Sequence, residues 1–193
     1  MILWTIQPAE LYSQIMRVGY YCFDDTKAAK DDAFMFEVRQ AYEWLSAEMI
    51  KRIGKPPKDI HYPVWAWYIH DSKRKKPDLR KSEYGRKGEK MICLEIEIPD
   101  NEVVLSDEEA WHYVLGNWYL AAATSEEEYD KEISAYNSLP ESKKQEAITA
   151  SWNRIFDVTP FNNGFEIKGR FVQATVWKLK AEQIRKVQFF TAR

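Results

Sequence analysis

Residues 2–23 read ILWTIQPAELYSQIMRVGYYCF, and the way this stretch divides sets the fold class. Over residues 2–7, Ile2, Trp4 and Ile6 alternate with Leu3, Thr5 and Gln7. That is the period of a strand with one apolar face and one mixed face. Pro8 stops the strand and suits the first turn of a helix. Leu11, Ile15 and Val18 then recur at helical spacing, and Gly19 stands at the C-terminal cap position. YYCF, residues 20–23, reads as a second strand. Strand, helix, glycine and strand in quick succession predict an α+β chain. Thr5 and Gln7 place a hydroxyl and an amide in the first strand, either as stray polar residues of an edge strand or as one wall of a ligand cleft.

Beyond this stretch, DDTKAAKDD (24–32) is polar and loop-like, and the next segment is a long helix from Ala33 to Ile53. Its stripe is Phe34, Val38, Ala41, Tyr42, Leu45, Met49 and Ile53, with Lys51, Arg52 and Gly54 suited to the C-terminus. KPPKD (55–59) breaks the chain, and YPVWAWYI (62–69) is aromatic and β-branched, hence a strand. Residues 71–90 carry nine Lys/Arg and four Asp/Glu with no sustained apolar period, so a basic loop is expected over 73–90. In MICLEIEIP (91–99), Ile92, Leu94, Ile96 and Ile98 point inward, with Glu95 and Glu97 outward.

Ser106 with Glu109, and Ser125 with Glu128, have capping-box spacing, so helices are expected from about Asp107 and after Ser125. A third helix, from about Glu141 to Phe156, carries Ile148, Trp152, Ile155 and Phe156. GRFVQATVWKL (169–179) is a strand, KAEQI (180–184) a helical turn and RKVQFF (185–190) a last strand. The expected architecture is one α+β domain over residues 1–193. It has a mixed or mostly antiparallel sheet and a helical insertion around residues 107–156.

A chain of 193 residues buries roughly 70% of its unfolded surface and builds a core without staples. No uncharged apolar run is long enough to span a bilayer, and no basic segment precedes an apolar one at the N-terminus. A cytoplasmic location without membrane contact is the expectation. Cys22 and Cys93 read as two buried thiols in preference to a disulfide. Net charge is −2 but uneven: residues 91–156 hold 4 Lys/Arg against 14 Asp/Glu, while both flanks are net basic. This argues against a uniformly basic nucleic-acid binder and leaves room for a local basic patch. Of eight tryptophans, two or three are expected to line a site and the rest to be core.

The patterns of metal, nucleotide-loop and nucleophile-elbow chemistry are missing from the sequence, and no metal site is expected. His61, His70 and His112 have no i,i+4 histidine partner, and neither cysteine has a CxxC neighbour. His112 follows Trp111 on a capped helix, with Glu108 one turn earlier to orient its imidazole. This pair is either a surface contact or a ligand contact. Trp65 and Trp67 share a strand face, which is either the surface beneath the long helix or a platform for a planar ring. The basic loop directly follows that strand and is either a solvated face or a cover over a phosphate-bearing ligand. Gln173 shares a face with Thr175 and Trp177, as a solvent-facing or a pocket amide.

Taken together, LWTIQ, PVWAWY, LEIEIPDNEVVLSDEEAWHYVL and VQATVWKLKAEQIRKVQFF resemble a bacterial and phage family, domain-of-unknown-function family 3841, nearly end to end. The N-terminal order, and a late strand reading QA before a short helix and a last strand, are similar to ADP-ribosyltransferase-like folds. That resemblance implies an NAD-holding cleft in which Thr5 or Gln7 grips the nucleotide. Gln173 or Thr175 would lie near the position of a late-strand glutamate. This chain has no glutamate there, so the resemblance assigns no catalytic residue. A further comparison, with small barrel domains that bind RNA or modified bases, lacks their Lys/Glu/Arg cluster after the glycine.

The expected ligand-binding set is therefore Thr5, Gln7, Trp65, Trp67, His112 and Gln173, for a nucleotide or NAD-like ligand. The competing readings are a nucleic-acid or modified-base module using the basic loop, and a protein-interaction role using the acidic helices.

Overall fold

The computed structural model describes the backbone of residues 1–23 and 32–193, and the side chains of residues 1–23 and 38–193. Most of the polar loop expected at 24–32 lies outside the described residues, as does the side chain of Phe34 in the helical stripe. The chain begins with β1 (Ile2–Pro8), α1 (Glu10–Val18), β2 (Tyr20–Tyr21), α2 (Asp32–Ile53), β3 (Val64–Ile69) and β4 (Lys90–Glu97). β5 (Val104–Asp107), α3 (Glu108–Leu115), α4 (Glu126–Asn137), α5 (Glu141–Ser151) and a 3-10 turn at Trp152–Phe156 follow. The chain ends with β6 (Phe161–Asn162), β7 (Ile167–Lys168), β8 (Val172–Val176), β9 (Leu179–Lys180) and β10 (Ile184–Thr191).

Six strands form one sheet in the order β10-β4-β1-β3-β8-β5, and every pairing in it is antiparallel. β2–β9 and β6–β7 are two small separate ribbons. Three α-helices and the 3-10 turn occupy residues 108–156, where the helical insertion is expected. Gly19 closes α1 at φ 89°, a left-handed conformation that costs a β-carbon-bearing residue free energy, and its N–H donates to Ile15 O at 2.7 Å. The YYCF strand shortens to Tyr20 and Tyr21.

Strand alternation sorts the core. On one sheet face Leu3, Ala66, Leu94 and Ala174 pack with Leu11 and Ile15 of α1. On the other, Val104 and half-buried Trp65 pack beneath Leu45 and Met49 of α2 and Trp111 of α3. Farther along that second face, Trp4 and Cys93 are covered by Leu79 of the 71–90 loop. β4 is therefore buried on both faces at its centre: Met91 and Cys93 are enclosed as well as Ile92, Leu94 and Ile96. The enclosure pushes the Cys93 thiol up to about 11. Cys22 is half-buried, and no disulfide joins the two.

The first capping box is rearranged. Ser106 belongs to β5, and Asp107 is the N-cap, its Oδ1 accepting from Ala110 N at 3.0 Å. Asp107 Oδ2 also accepts from Gly169 N at 2.7 Å, which ties the start of α3 to the approach to β8. Ser125 caps α4 as expected, accepting from Glu128 N at 3.3 Å. Among the described residues no helix is long and apolar enough to cross a membrane.

Candidate functional site: a cleft between two covers of the sheet

The helices cover one end of the second sheet face and the 71–90 loop covers the other. Between these covers lies a cleft of about 580 Å³, above the middle strands. Its floor and walls come from β1 (Ile6, Gln7), β3 (Trp65, Trp67), β8 (Gln173) and the N-terminus of α3 (Glu108). The loop contributes Lys81, Glu83 and Tyr84, and His70 and Phe171 complete the rim.

Two irregularities in the sheet make room for it. β1 pairs with β4 along its whole length, but its pairing with β3 has a single register position, Trp4 opposite Trp67. Beyond it the strands are joined through a side chain. Thr5 Oγ1 donates to Trp65 O at 2.8 Å and accepts from Gln7 Nε2 at 3.0 Å. The hydroxyl replaces a ladder rung and the Gln7 amide is braced by it. The second irregularity is a bulge in β3: Trp67 lies opposite Gln173, yet Ile69 lies opposite the adjacent Val172. The extra residue, Tyr68, returns His70 to the face that carries Trp67.

The aromatic side chains are fixed by one another. Trp65 lies 5.2 Å from Trp111 and 6.1 Å from Tyr42, ring centre to ring centre. Trp67 lies 5.3 Å from His70 and 6.4 Å from Phe171. The shared strand face is thus both core and cleft, with Trp65 rooted beneath α2 and Trp67 walled by an imidazole and a phenyl ring.

His70 is 3% exposed, and its Nε2 lies 3.1 Å from Tyr84 Oη. Burial, and then the charge of Lys81, hold the imidazole below its ordinary pKa, although Glu83 opposes the shift. Burial and the Glu83 carboxylate raise the Tyr84 phenol. The contact therefore joins two neutral groups at pH 7. Burial likewise raises the Tyr42 phenol; the indole N–H of Trp65 is close enough to oppose that shift without reaching hydrogen-bond geometry.

Among the described residues, three buried polar atoms have no partner: Trp65 Nε1 and Gln173 Oε1, on residues that line the cleft, and Ser106 Oγ. Ser106 lies directly opposite Gln173 in the β5–β8 register. Buried polar groups are nearly always paired, so each unpaired one calls for an explanation. A smaller recess of about 370 Å³ shares His70, Lys81 and Phe171 with the cleft and adds Lys75, Lys76 and Arg170. Asp71 pairs with Arg170 at 3.1 Å, and Lys76 Nζ donates to Gln188 Oε1.

Of the residues expected at a site, Gln7, Trp65, Trp67 and Gln173 converge on the cleft. Thr5 is 1% exposed and lies behind the wall as the brace of Gln7. His112 stands outside the cleft on the exposed side of α3. Its Nε2 lies 3.3 Å from Glu108 Oε1, and Glu108 is the member of the pair that reaches the cleft. The basic loop packs on the sheet through buried Leu79 and Tyr84 while Lys73, Arg74, Lys75 and Lys76 remain exposed. His70 and Tyr84 join the site without any local pattern that marks them for it. Strict alternation assigns His70 to the opposite face from Trp67, and only the bulge reverses this.

No curated protein and no solved structure matches the chain. A family model described as Domain of unknown function (DUF3841) matches residues 2–185, and the chain belongs to that family.

Proposed function

We propose that this protein binds a nucleotide, with a planar heteroaromatic base in the cleft and phosphate toward the recess. The observation that carries the reading is the Gln173 side-chain amide. Gln173 lines the cleft opposite Trp67 in the ladder, and its buried Oε1 makes no hydrogen bond among the described residues. A primary amide offers a donor and an acceptor side by side, complementary to the edge of a base or to a carboxamide such as that of nicotinamide. Gln7 supplies a second amide, and Trp67 an indole face. Lys75, Lys76 and Lys81 around the recess suit phosphate oxygens.

This is the polarity expected of an ADP-ribosyltransferase-like cleft, with the departure that its late strand carries the neutral Gln173. A neutral amide stabilises a developing cationic sugar centre far less than a carboxylate does, so the reading is one of binding before turnover. Titration with NAD, AMP and adenosine by calorimetry tests it. Phosphorylated ligands are expected to bind more tightly than adenosine, and Gln173→Ala is expected to weaken binding about tenfold, the effect of one lost hydrogen bond. No heat and no thermal shift with any of the three would reject the reading.

A second reading, a nucleic-acid or modified-base module, is favoured by the exposed lysines and arginine beside the cleft. It predicts oligonucleotide affinity that falls steeply with salt, whereas a single nucleotide gives a shallow dependence.

A further inference from the structure

A second groove, of about 590 Å³, lies on the other side of α3, between the chain at 120–124 and the β6–β7 ribbon. It shares no lining residue with the cleft above the sheet, so its occupant is independent of the nucleotide reading.

The stretch LAAAT (120–124) runs between α3 and α4 without belonging to any strand. Its backbone nevertheless has the alternation of one. Leu120 N donates to Ser151 Oγ at 2.9 Å, and Ala122 N donates to Glu132 Oε2 at 3.0 Å. Leu120 O accepts from the Arg154 guanidinium. In an extended chain, successive N–H groups point to opposite edges. The N–H groups of Leu120 and Ala122 are satisfied by side chains, whereas those of Ala121 and Ala123 have no partner among the described residues. Ala121 is half-buried, and Ala123 is 7% exposed and lines the groove. Three consecutive alanines keep the stretch uncrowded.

The walls of the groove carry apolar surface that the fold does not cover. Tyr113, Tyr129, Phe165 and Ile167 all line it and stand 37–47% exposed. Its charges are lopsided. Arg154 is paired with Glu132 at 2.8 Å, and Lys168 is paired with Asp157. Glu109 on one wall and Glu166 on the other have no ion pair among the described residues. Backbone N–H groups without a partner, uncovered aromatic rings and unpaired carboxylates on facing walls are complementary to one kind of occupant.

We propose that this groove docks an extended basic peptide segment of a partner protein. The segment adds as a strand along the unpaired N–H groups of Ala121 and Ala123, which line the groove. A lysine or arginine meets Glu109 or Glu166, and alternate apolar side chains rest on Tyr129 and Phe165. Of the acidic stripe at Glu126–Glu128, Glu128 acts within the fold. Glu128 accepts from Thr124 N at 2.9 Å and so holds the end of the stretch in place.

Panning a random octapeptide phage library against the full chain tests the proposal. Enriched peptides are expected to alternate apolar residues with lysine or arginine. Synthetic versions should shift the amide resonances of Ala121 and Ala123 and lose at least tenfold in affinity on Phe165→Ala. The double variant Ala121→Pro with Ala123→Pro removes the unpaired donors and should abolish binding. Because proline could disturb the stretch itself, peptides N-methylated at alternate residues provide the same test on the unaltered protein. No enrichment, selection of acidic peptides, or undiminished binding of N-methylated peptides each overturns the proposal. A concentration-dependent dimer broken by the same substitutions also overturns it, in favour of a second copy of this chain.

Discussion

His70 shows how one backbone irregularity changes a residue's chemistry. The bulge at Tyr68 turns its imidazole to the cleft side of the sheet, where burial holds it neutral against Tyr84. Its pKa in the folded chain lies below the unfolded value of about 6.5, so the unfolded chain binds the proton more tightly. The associated stability is intact above about pH 6.5 and is lost as pH falls from there toward the folded-state pKa. Urea unfolding at about pH 7.5 and about pH 5.5 is expected to show a larger drop in midpoint for the wild type than for His70→Gln. Equal drops in the two proteins would mean that the imidazole is not desolvated in the way described.

Among the elements, the decisive contact is the one between β1 and β3. The ladder pairs Trp4 with Trp67, and the Thr5 hydroxyl then bridges to Trp65 O while bracing Gln7. Thr5→Val keeps the shape and removes the hydroxyl, leaving a buried carbonyl and an amide donor without that partner. A cost of about 1–3 kcal/mol is expected, read as a melting temperature lower by roughly 2–12 °C for a chain of this size. Binding in the cleft is expected to weaken as well, because the Gln7 amide is no longer held. An unchanged melting temperature would show that the bridge contributes nothing. This junction is half legible in the sequence. The alternation of residues 2–7 singles out Thr5 and Gln7, but their division into brace and wall depends on where β3 parts from β1, which no local pattern records.

Across the whole molecule, β4 is shared by both layers of the core. Leu94 packs toward α1, while Cys93 lies under the loop that covers the other face. Leu94→Ala is expected to cost about 2–5 kcal/mol through lost burial and the cavity left behind. The transition should also remain single, with far-UV dichroism and tryptophan fluorescence giving coincident midpoints in urea. Separate midpoints would show the helical layer at 108–156 to be an independent unit.

Strands and helices are readable because apolar spacing and cap residues are local quantities: Gly19 after α1, Ser125 before α4, and the alternation in β3, β4 and β8. Local pattern is therefore enough for an α+β chain with a mixed or mostly antiparallel sheet, an inserted helical layer, and the candidate residues Gln7, Trp65, Trp67 and Gln173. Only the packed chain establishes that these four meet, that His70 joins them, that Thr5 withdraws behind Gln7, and that Glu108 rather than His112 reaches the cleft. The physical reason is that a cleft arises where ladder pairing fails and two covers leave a gap. Both depend on contacts between segments tens of residues apart, whose geometry leaves no periodic trace in the chain.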